Sequence, residues 1–320
     1  MCVLMGVDAS QPDTESPVSL TPSESLRESL SPFWQQIDAA MVVNLAHRTD
    51  RWERIHGILS KHLPEDRIVR VDAIKGVDLP GYKQKPWFRE QTPEKVSIVK
   101  AGAAGCCLSH RKAIEMARDA GYRRILLLED DADFQNEVDG PEGDAVASVL
   151  RDESSWDMFY LGYYQKYNKH YVAKRIEIDG RPFELRRIRG PLMLHAAVIH
   201  GRIFDSMLAG LPDPNNPWPW MAYWGSIDAW IQNRFGRDPR VRIWATEPKL
   251  VMQVVTWSDI CGRMLTEEES QGTHRPVEVT PLGERAFERS IPLRLAERCY
   301  QRYKYGTRQL KARVFGHKKT

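Results

Sequence analysis

The sequence predicts a layered α/β protein with a mostly parallel sheet flanked by helices. Three observations support this. Short apolar runs alternate with segments of helical period between residues 39 and 161; the run Arg124-Ile-Leu-Leu-Leu128 is apolar on both faces of a strand; and Gly, Pro or acidic residues punctuate the junctions. Such a fold needs a sizeable core, which 320 residues at 42% hydrophobic content with ten tryptophans can supply.

Residues 1–32 are rich in Ser, Pro, Thr, Asp and Glu and are expected to be disordered, because little apolar burial offsets the ordering entropy. The globular domain is placed at residues 33–275. Its first element, Ala39-Ala-Met-Val-Val-Asn-Leu45, reads as a strand buried on both faces. Thr49 is expected to cap a helix in which Trp52, Ile55, Leu59 and Leu63 recur, with Pro64 closing it. Arg67–Asp72 is a second strand, followed by a Pro- and Gly-rich loop from about Lys75 to Lys100. Gly105-Cys-Cys-Leu-Ser-His110 is expected to open the next helix, ending near Gly121. Strands follow at Arg124–Leu128 and Asp157–Leu161, then at Leu194–Ile199 and Val241–Ala245. A helix is expected at Ser226–Phe235, and a Pro/Trp-rich loop at Leu211–Trp220. Residues 276–320 are expected to form a basic, helical tail.

Charge narrows the function classes. Lys and Arg number 46 against 43 Asp and Glu, a net +3, too balanced for a protein that coats nucleic acid. The ends differ: residues 1–30 hold five acids and one base, whereas residues 294–320 hold nine bases and one acid. In that tail Tyr300, Tyr303, Tyr305 and Phe315 interleave with Arg and Lys, a mixture that suits either an anionic membrane surface or a solvated helix. No stretch approaches the ~18 apolar residues of a spanning helix. The first residues lack the basic and apolar runs of a secretory signal, so a cytoplasmic location is expected. Five cysteines without C-x-x-C spacing read as reduced thiols, with Cys106 and Cys107 as small packing residues and no zinc site.

The chemistry concentrates after Leu128. There the apolar strand ends and Glu129, Asp130, Asp131 and Asp133 follow at the edge where open α/β sheets bind ligands. Clustered carboxylates repel, and a hard divalent cation, Mg²⁺, Mn²⁺ or Ca²⁺, is an economical compensation; an acidic surface loop is the plainer alternative. A metal held there can stabilise a leaving diphosphate.

In sequence order, Val43-Asn-Leu45 with Arg48-Thr-Asp-Arg51, Val71-Asp-Ala-Ile-Lys-Gly76, Gly105-Cys-Cys-Leu-Ser-His110 and Ile125-Leu-Leu-Leu-Glu-Asp-Asp131 resemble glycosyltransferase family 25. Weaker matches are His195-Ala-Ala-Val-Ile199, Ile227-Asp228, Pro248 and Ser258-Asp-Ile260. This family includes lipooligosaccharide galactosyltransferases and collagen galactosyltransferase domains. The resemblance covers about residues 40–260. It implies a GT-A-like fold, a nucleotide-sugar donor and Mn²⁺ or Mg²⁺. Glu129-Asp130-Asp131 then stands where such folds carry a D-x-D-like element, with Glu in place of the first Asp. Asp131 is the expected metal ligand, Asp133 its alternative, and Glu129 and Asp130 donor contacts.

Asn44 and Leu45 end the first strand, where a nucleotide base would lie. Arg48 and Arg51 flank a helix start and would contact phosphate or base, or else be solvated. Asp72 would bond uridine or ribose, or cap a turn. His110 would touch phosphate, ligate metal or satisfy buried carbonyls. In Ala222-Tyr-Trp-Gly-Ser-Ile-Asp228, Trp224 and Gly225 are candidate acceptor contacts and Asp228 the candidate general base. The Trp218-Pro-Trp220 cluster is a candidate acceptor rim or lid, or else packs its loop to the core, and Gln253, Ser258 and Asp259 are weaker contributors to the donor pocket. The expected partners are a UDP-sugar, galactose foremost, and a glycan or glycolipid such as lipooligosaccharide, with residues 294–320 on the inner membrane face. The rivals are glycosylation of a protein hydroxyl and a non-catalytic metal- or membrane-binding protein.

Overall fold

The computed structural model describes residues 29–134, 138–165, 170–235, 238 and 240–270, with positions 299 and 303. The expected disordered segment 1–32 lies outside them except for its last residues, and the tail 276–320 except for two single positions.

The chain opens with a short helix α1 (Pro32–Gln35), then β1 (Ala39–Asn44), α2 (Thr49–Leu59) and β2 (Ile68–Asp72). A long helix α3 (Glu94–Asp119) leads to β3 (Arg124–Glu129), a short β4 (Ala132–Phe134) and α4 (Pro141–Arg151). Four strands follow: β5 (Met158–Gln165), β6 (His170–Ile178), β7 (Arg181–Ile188) and β8 (Pro191–His200). Helices α5 (Phe204–Leu208), α6 (Trp218–Trp224) and α7 (Ile227–Arg234) precede β9 (Ile243–Glu247). The last described stretch holds β10 (Val251–Gln253), β11 (Trp257–Ser258), β12 (Arg263–Met264) and α8 (Glu267–Ser270).

One eight-stranded sheet, in the order β2-β1-β3-β8-β5-β9-β7-β6, organises the fold. β1 runs parallel to both β2 and β3, and β5 parallel to β9; β8 and β7 are antiparallel to their neighbours. All strands except β7 and β8 therefore point the same way, and the sheet is mostly parallel in strand direction. Helices cover both faces. Met41, Val43, Ile125 and Leu127 face the cluster shared with α3, α5, α6 and α7. Val42, Leu126 and Leu128 face the opposite cluster with α1, α2 and α4. This alternation explains why β1 and β3 are continuous apolar runs: a strand covered on both sides has no solvent face to keep polar.

Several expectations shift. Arg48, not Thr49, occupies the cap position of α2 and makes no side-chain cap bond. The long helix starts at Glu94, inside the expected loop, because Pro93 can precede a first turn while Val96, Ser97 and Ala101 continue a helical pattern. Ser109 and His110 thus sit in mid-helix rather than in its first turns. The Trp218–Trp220 segment is helical, and Trp218 is buried, its indole donating to the Pro80 carbonyl at 2.6 Å and packing edge-on to Phe88 at 4.9 Å. It anchors the 79–88 loop and is not an open lid. Among the described residues no helix is long and apolar enough to cross a membrane.

Candidate active site

The chain runs from β1 to β2 on one side and then crosses to β3 on the other, so the strand order reverses direction at β1. The carboxyl ends of parallel strands diverge at such a point and leave a crevice. Register sets its floor: Val43 pairs with Glu129 and Asn44 with Asp72, placing these residues at the same level. A cavity of about 380 Å³ opens there. It is bordered by Val43 and Leu45 after β1, by Ala73 to Val77 after β2 and by Cys106, Ser109 and His110 of α3. Glu129 to Asp131 after β3 and Ser258 to Ile260 from the far C-terminal segment close it.

The wall between β2 and α3 depends on glycine. A Cβ on Gly76 would stand 1.7 Å from the Ala101 carbonyl oxygen, and one on Gly105 would stand 2.4 Å from that of Ile74. Backbone approaches backbone here, and Ser109 locks the contact: its hydroxyl donates to Gly105 O at 2.7 Å and accepts from Ile74 N at 2.7 Å. Gly102 leaves room in the same way for Ile260, whose Cα a Cβ would meet at 2.8 Å.

The three consecutive acids separate by partner. Asp130 accepts from Arg51 Nη1 at 2.9 Å and from Asn44 Nδ2 at 2.7 Å. Arg54 grips the turn by its backbone, donating to the carbonyls of Asp130 at 3.0 Å and Ala132 at 2.7 Å. Glu129 and Asp131 instead share the Gln253 amide, which lies 3.2 Å from Asp131 Oδ1 and 3.4 Å from Glu129 Oε2. Among the described residues neither makes an ion pair with Lys or Arg; Glu129 has His110 Nε2 at 3.5 Å. Burial, then the charge of Asp131, Asp228 and Asp130, raises the Glu129 carboxyl well above the usual carboxylate range. Burial and Asp130 push Asp131 up to about 6. Ionised together, these two groups need a counter-charge, and their oxygen ligands suit a hard divalent cation.

Asp228 lies in the first turn of α7, capped by the Ser226 hydroxyl. Burial raises its carboxyl to about 6, opposed by a hydrogen bond from the Met193 backbone. It does not border the cavity, yet its charge reaches Glu129 and Cys106.

The other expected site residues divide. Leu45, Arg51 and His110 border the cavity. Asn44 and Arg48 do not: Asn44 is spent on Asp130, the Arg48 carbonyl and Arg70, and Arg48 on Asp50 and Asp259. Asp72 is exposed at the end of β2, away from the lining. Asp133, the alternative metal ligand, lies on β4, half-exposed and 3.5 Å from Arg54, and does not border the cavity. Trp224 and Gly225 are likewise outside the lining; Trp224 packs edge-on to Tyr223 at 4.6 Å, and Gly225, with φ +80°, ends α6. Cys106 is more than a packing residue, since it borders the cavity beside His110 and Glu129, whereas Cys107 is buried in the core. Two cationic candidates went unassigned at the sequence level, His47 and Lys75, both exposed at the cavity rim. Lys75 was within the Val71–Gly76 block, and only the folded loop reveals that it borders the cavity.

The molecule is thus a mostly parallel, two-sided α/β sheet with a charged cavity at its strand switch, the place where open sheets of this kind accept ligands. Residues 37–178 match the model of Glycosyltransferase family 25 (LPS biosynthesis protein). Curated relatives agree. Inactive glycosyltransferase 25 family member 3 of Homo sapiens is 32% identical over 149 residues, 42% of this chain and 23% of that protein. Procollagen galactosyltransferase 2 of Mus musculus is 25% identical over 130 residues, 39% of this chain and 20% of that protein. The chain therefore spans a quarter or less of the length of these relatives. Among solved structures, A197 from STIV aligns with TM-score 0.34 and 10% identity over 78% of this chain and 99% of that one. A glycosyltransferase involved in the glycosylation of the major capsid of PBCV-1 aligns with TM-score 0.35 and 9% identity, over 74% and 97%.

Proposed function

We propose that the protein is a glycosyltransferase that moves a hexose, galactose from UDP-galactose in the leading case, onto a saccharide acceptor such as lipooligosaccharide. One observation carries the reading: Glu129 and Asp131 converge on the cavity floor without an arginine or lysine partner, while their neighbour Asp130 has one. The carboxylates fit a divalent cation of the Mn²⁺ or Mg²⁺ class, which when bound supplies charge neutralisation to a departing diphosphate. Around it the chain's own residues divide the work. Lys75 and His47 at the rim face the anionic donor, Leu45 and Ile74 give an apolar wall for its base, and Arg51 holds Asp130 so that the turn presents Glu129 and Asp131. Asp228 accepts the proton of the attacking hydroxyl; a carboxyl raised to about 6 is ionised at neutral pH and more basic than an exposed one.

The test is release of UDP from a panel of sugar nucleotides by purified protein with Mn²⁺. Asp131→Ala is expected to abolish release with an unchanged circular dichroism spectrum. A second reading, a non-catalytic protein that keeps the fold, draws on relatives whose names call them inactive; absence of release from every donor, with or without acceptor glycans, favours it. The acceptor is proposed to lie at a membrane on the cytoplasmic side, met by the basic residues 294–320. Salt-sensitive sedimentation with anionic liposomes, lost on deleting that tail, is the corresponding measurement.

A further inference from the structure

We propose that Cys106, His110 and Glu129 form a binding site for a thiophilic divalent ion of the zinc class, distinct from the position at Asp131 that suits a hard cation. The proposal shares a cavity with the transferase reading but does not rest on it. One sulfur, one nitrogen and one oxygen from these three side chains lie within 4.8 Å of one another. Cys106 and His110 are one helical turn apart on α3 and share a face. Glu129 comes to them from the end of β3.

The separations are those of a ligand set slightly open. Glu129 Oε1 is 3.5 Å from His110 Nε2 and 3.9 Å from Cys106 Sγ; the sulfur's 3.6 Å neighbour is the other ring nitrogen, Nδ1, so closing the set on Nε2 takes a turn of the Cys106 side chain. Ligands at about 2.0–2.3 Å from a tetrahedral ion stand roughly 3.3–3.8 Å from each other, so small side-chain adjustments suffice.

The histidine supplies an independent argument. In the tautomer that donates from Nδ1 to the Cys106 carbonyl, 2.9 Å away, Nε2 keeps a lone pair. That lone pair faces two further oxygens, Glu129 Oε1 at 3.5 Å and Leu194 O at 3.4 Å, in a fully buried ring. Three electron-rich atoms at these distances are reconciled by a cation. A backbone carbonyl on the opposite ring nitrogen is also the outer contact that ligating histidines use.

A thiol–imidazole–carboxylate relay for nucleophilic attack is the competing interpretation, and the geometry disfavours it. The imidazole nitrogen nearest the thiol is engaged with the Cys106 carbonyl, and the carboxylate approaches the sulfur as well as the ring. The three groups make a triangle, not a line. Thiolate and imidazole together select zinc-class ions over Mn²⁺ or Mg²⁺. Cys106 borders the cavity, so a fourth position opens towards it, as in zinc sites that retain an exchangeable ligand. Because Glu129 also shares Gln253 with Asp131, a zinc-class ion and a hard cation compete for one carboxylate.

The experiment uses the full chain with Cys2, Cys261 and Cys299 replaced by Ser, titrated with Co²⁺ alone. A thiolate-to-cobalt charge-transfer band and four-coordinate visible bands are expected, saturating at one ion per chain and bleached by Zn²⁺. Cys106→Ser removes the charge-transfer band, Glu129→Gln weakens cobalt affinity at least ~10-fold, and Cys107→Ser and Asp131→Ala retain the band. Lack of the band in the parent, or its persistence in folded Cys106→Ser, overturns the proposal. Should Cys106→Ser not fold, X-ray absorption at the zinc edge of the loaded parent decides: sulfur in the first coordination shell supports the site and its absence refutes it. UDP release measured in parallel separates the two readings, since a band without release sinks only the transferase reading, and release without a band sinks only the metal site.

Discussion

Asp130 accepts from the Arg51 guanidinium at 2.9 Å, and both side chains are buried at the base of the cavity. This pair divides the acidic turn, because Arg51 is committed to the Asp130 carboxylate while Arg54 bonds the backbone of the turn. Arg51 also donates to the Trp257 carbonyl and, at 3.4 Å, to Thr256, so it ties α2 to the C-terminal segment as well.

Removing one partner of such a pair leaves a charge in a poorly solvated place. Arg51→Met is expected to lower unfolding free energy by about 3 kcal/mol or more. Asp130→Asn should cost less, because its one amide oxygen can still accept from Arg51, although the amide NH2 then faces the Asn44 donor. Urea denaturation checks both, and a change within about 0.5 kcal/mol for Arg51→Met would contradict this account.

Cation stabilisation should depend on pH in a defined direction. Asp131 is raised to about 6, and Glu129 is raised too, so their contribution to stability is full below the ordinary carboxylate pKa and is lost as pH rises through the folded values. A divalent cation relieves the cost of ionisation only when the groups are ionised. The increase in Tm on adding Mn²⁺ should therefore be larger at pH about 8 than at pH about 5. Equal increments at both would argue against these carboxylates as ligands.

Asp228 has to be ionised to accept a proton. With its carboxyl raised to about 6, kcat should fall as pH drops below about 6 and level off above it. Asp228→Asn is expected to reduce kcat by roughly 100-fold or more, with little change in donor KM. An unaltered pH profile in that variant would reassign the base.

Lys75 stands at the rim with no ion-pair partner among the described residues. Lys75→Ala should raise the donor KM by roughly 10-fold, the size of a lost charge-assisted contact, and leave kcat nearly intact. Added salt should weaken donor binding in the wild type more than in the variant.

Gly105 permits the approach of Ile74. Gly105→Ala is expected to destabilise the chain by about 1–3 kcal/mol and to weaken nucleotide binding, because the 73–77 loop has to move away from α3. Gly57→Ala, where a Cβ meets nothing within 4 Å, is the control and should be neutral or slightly stabilising.

The strands that carry the cavity were legible in the sequence because they are covered on both faces. Val42, Val43 and Leu126 to Leu128 could be nothing but core. The β6–β7 hairpin was not, since Arg175, Glu177, Arg186 and Arg187 break any apolar run, and the strands are held by pairing and by ion pairs such as Arg175 and Arg186 with Glu184. Helix α4 was missed because Pro141, Gly143 and two acids make its first turn look like a loop. At the site, Glu129 and Asp131 could be named from the strand end alone. That Arg54 comes to Asp133, or that Asn44 bonds Asp130 and Arg70, depends on how α2 and β2 pack beside the turn, which side-chain types do not reveal.

β10 pairs with β4, and Val254 N donates to the Asp131 carbonyl at 2.8 Å, so the stretch from 251 to 260 acts as the cavity's last wall. This wall lies some seventy residues beyond the segment that matches the family. A fragment cut near residue 250 would keep β1 to β3 and the acidic turn, yet expose that turn to bulk water on one side and take Gln253 from Asp131 and Asp259 from Arg48. Trimming the chain to the segment that matches the family would therefore leave the acidic turn with one side unwalled.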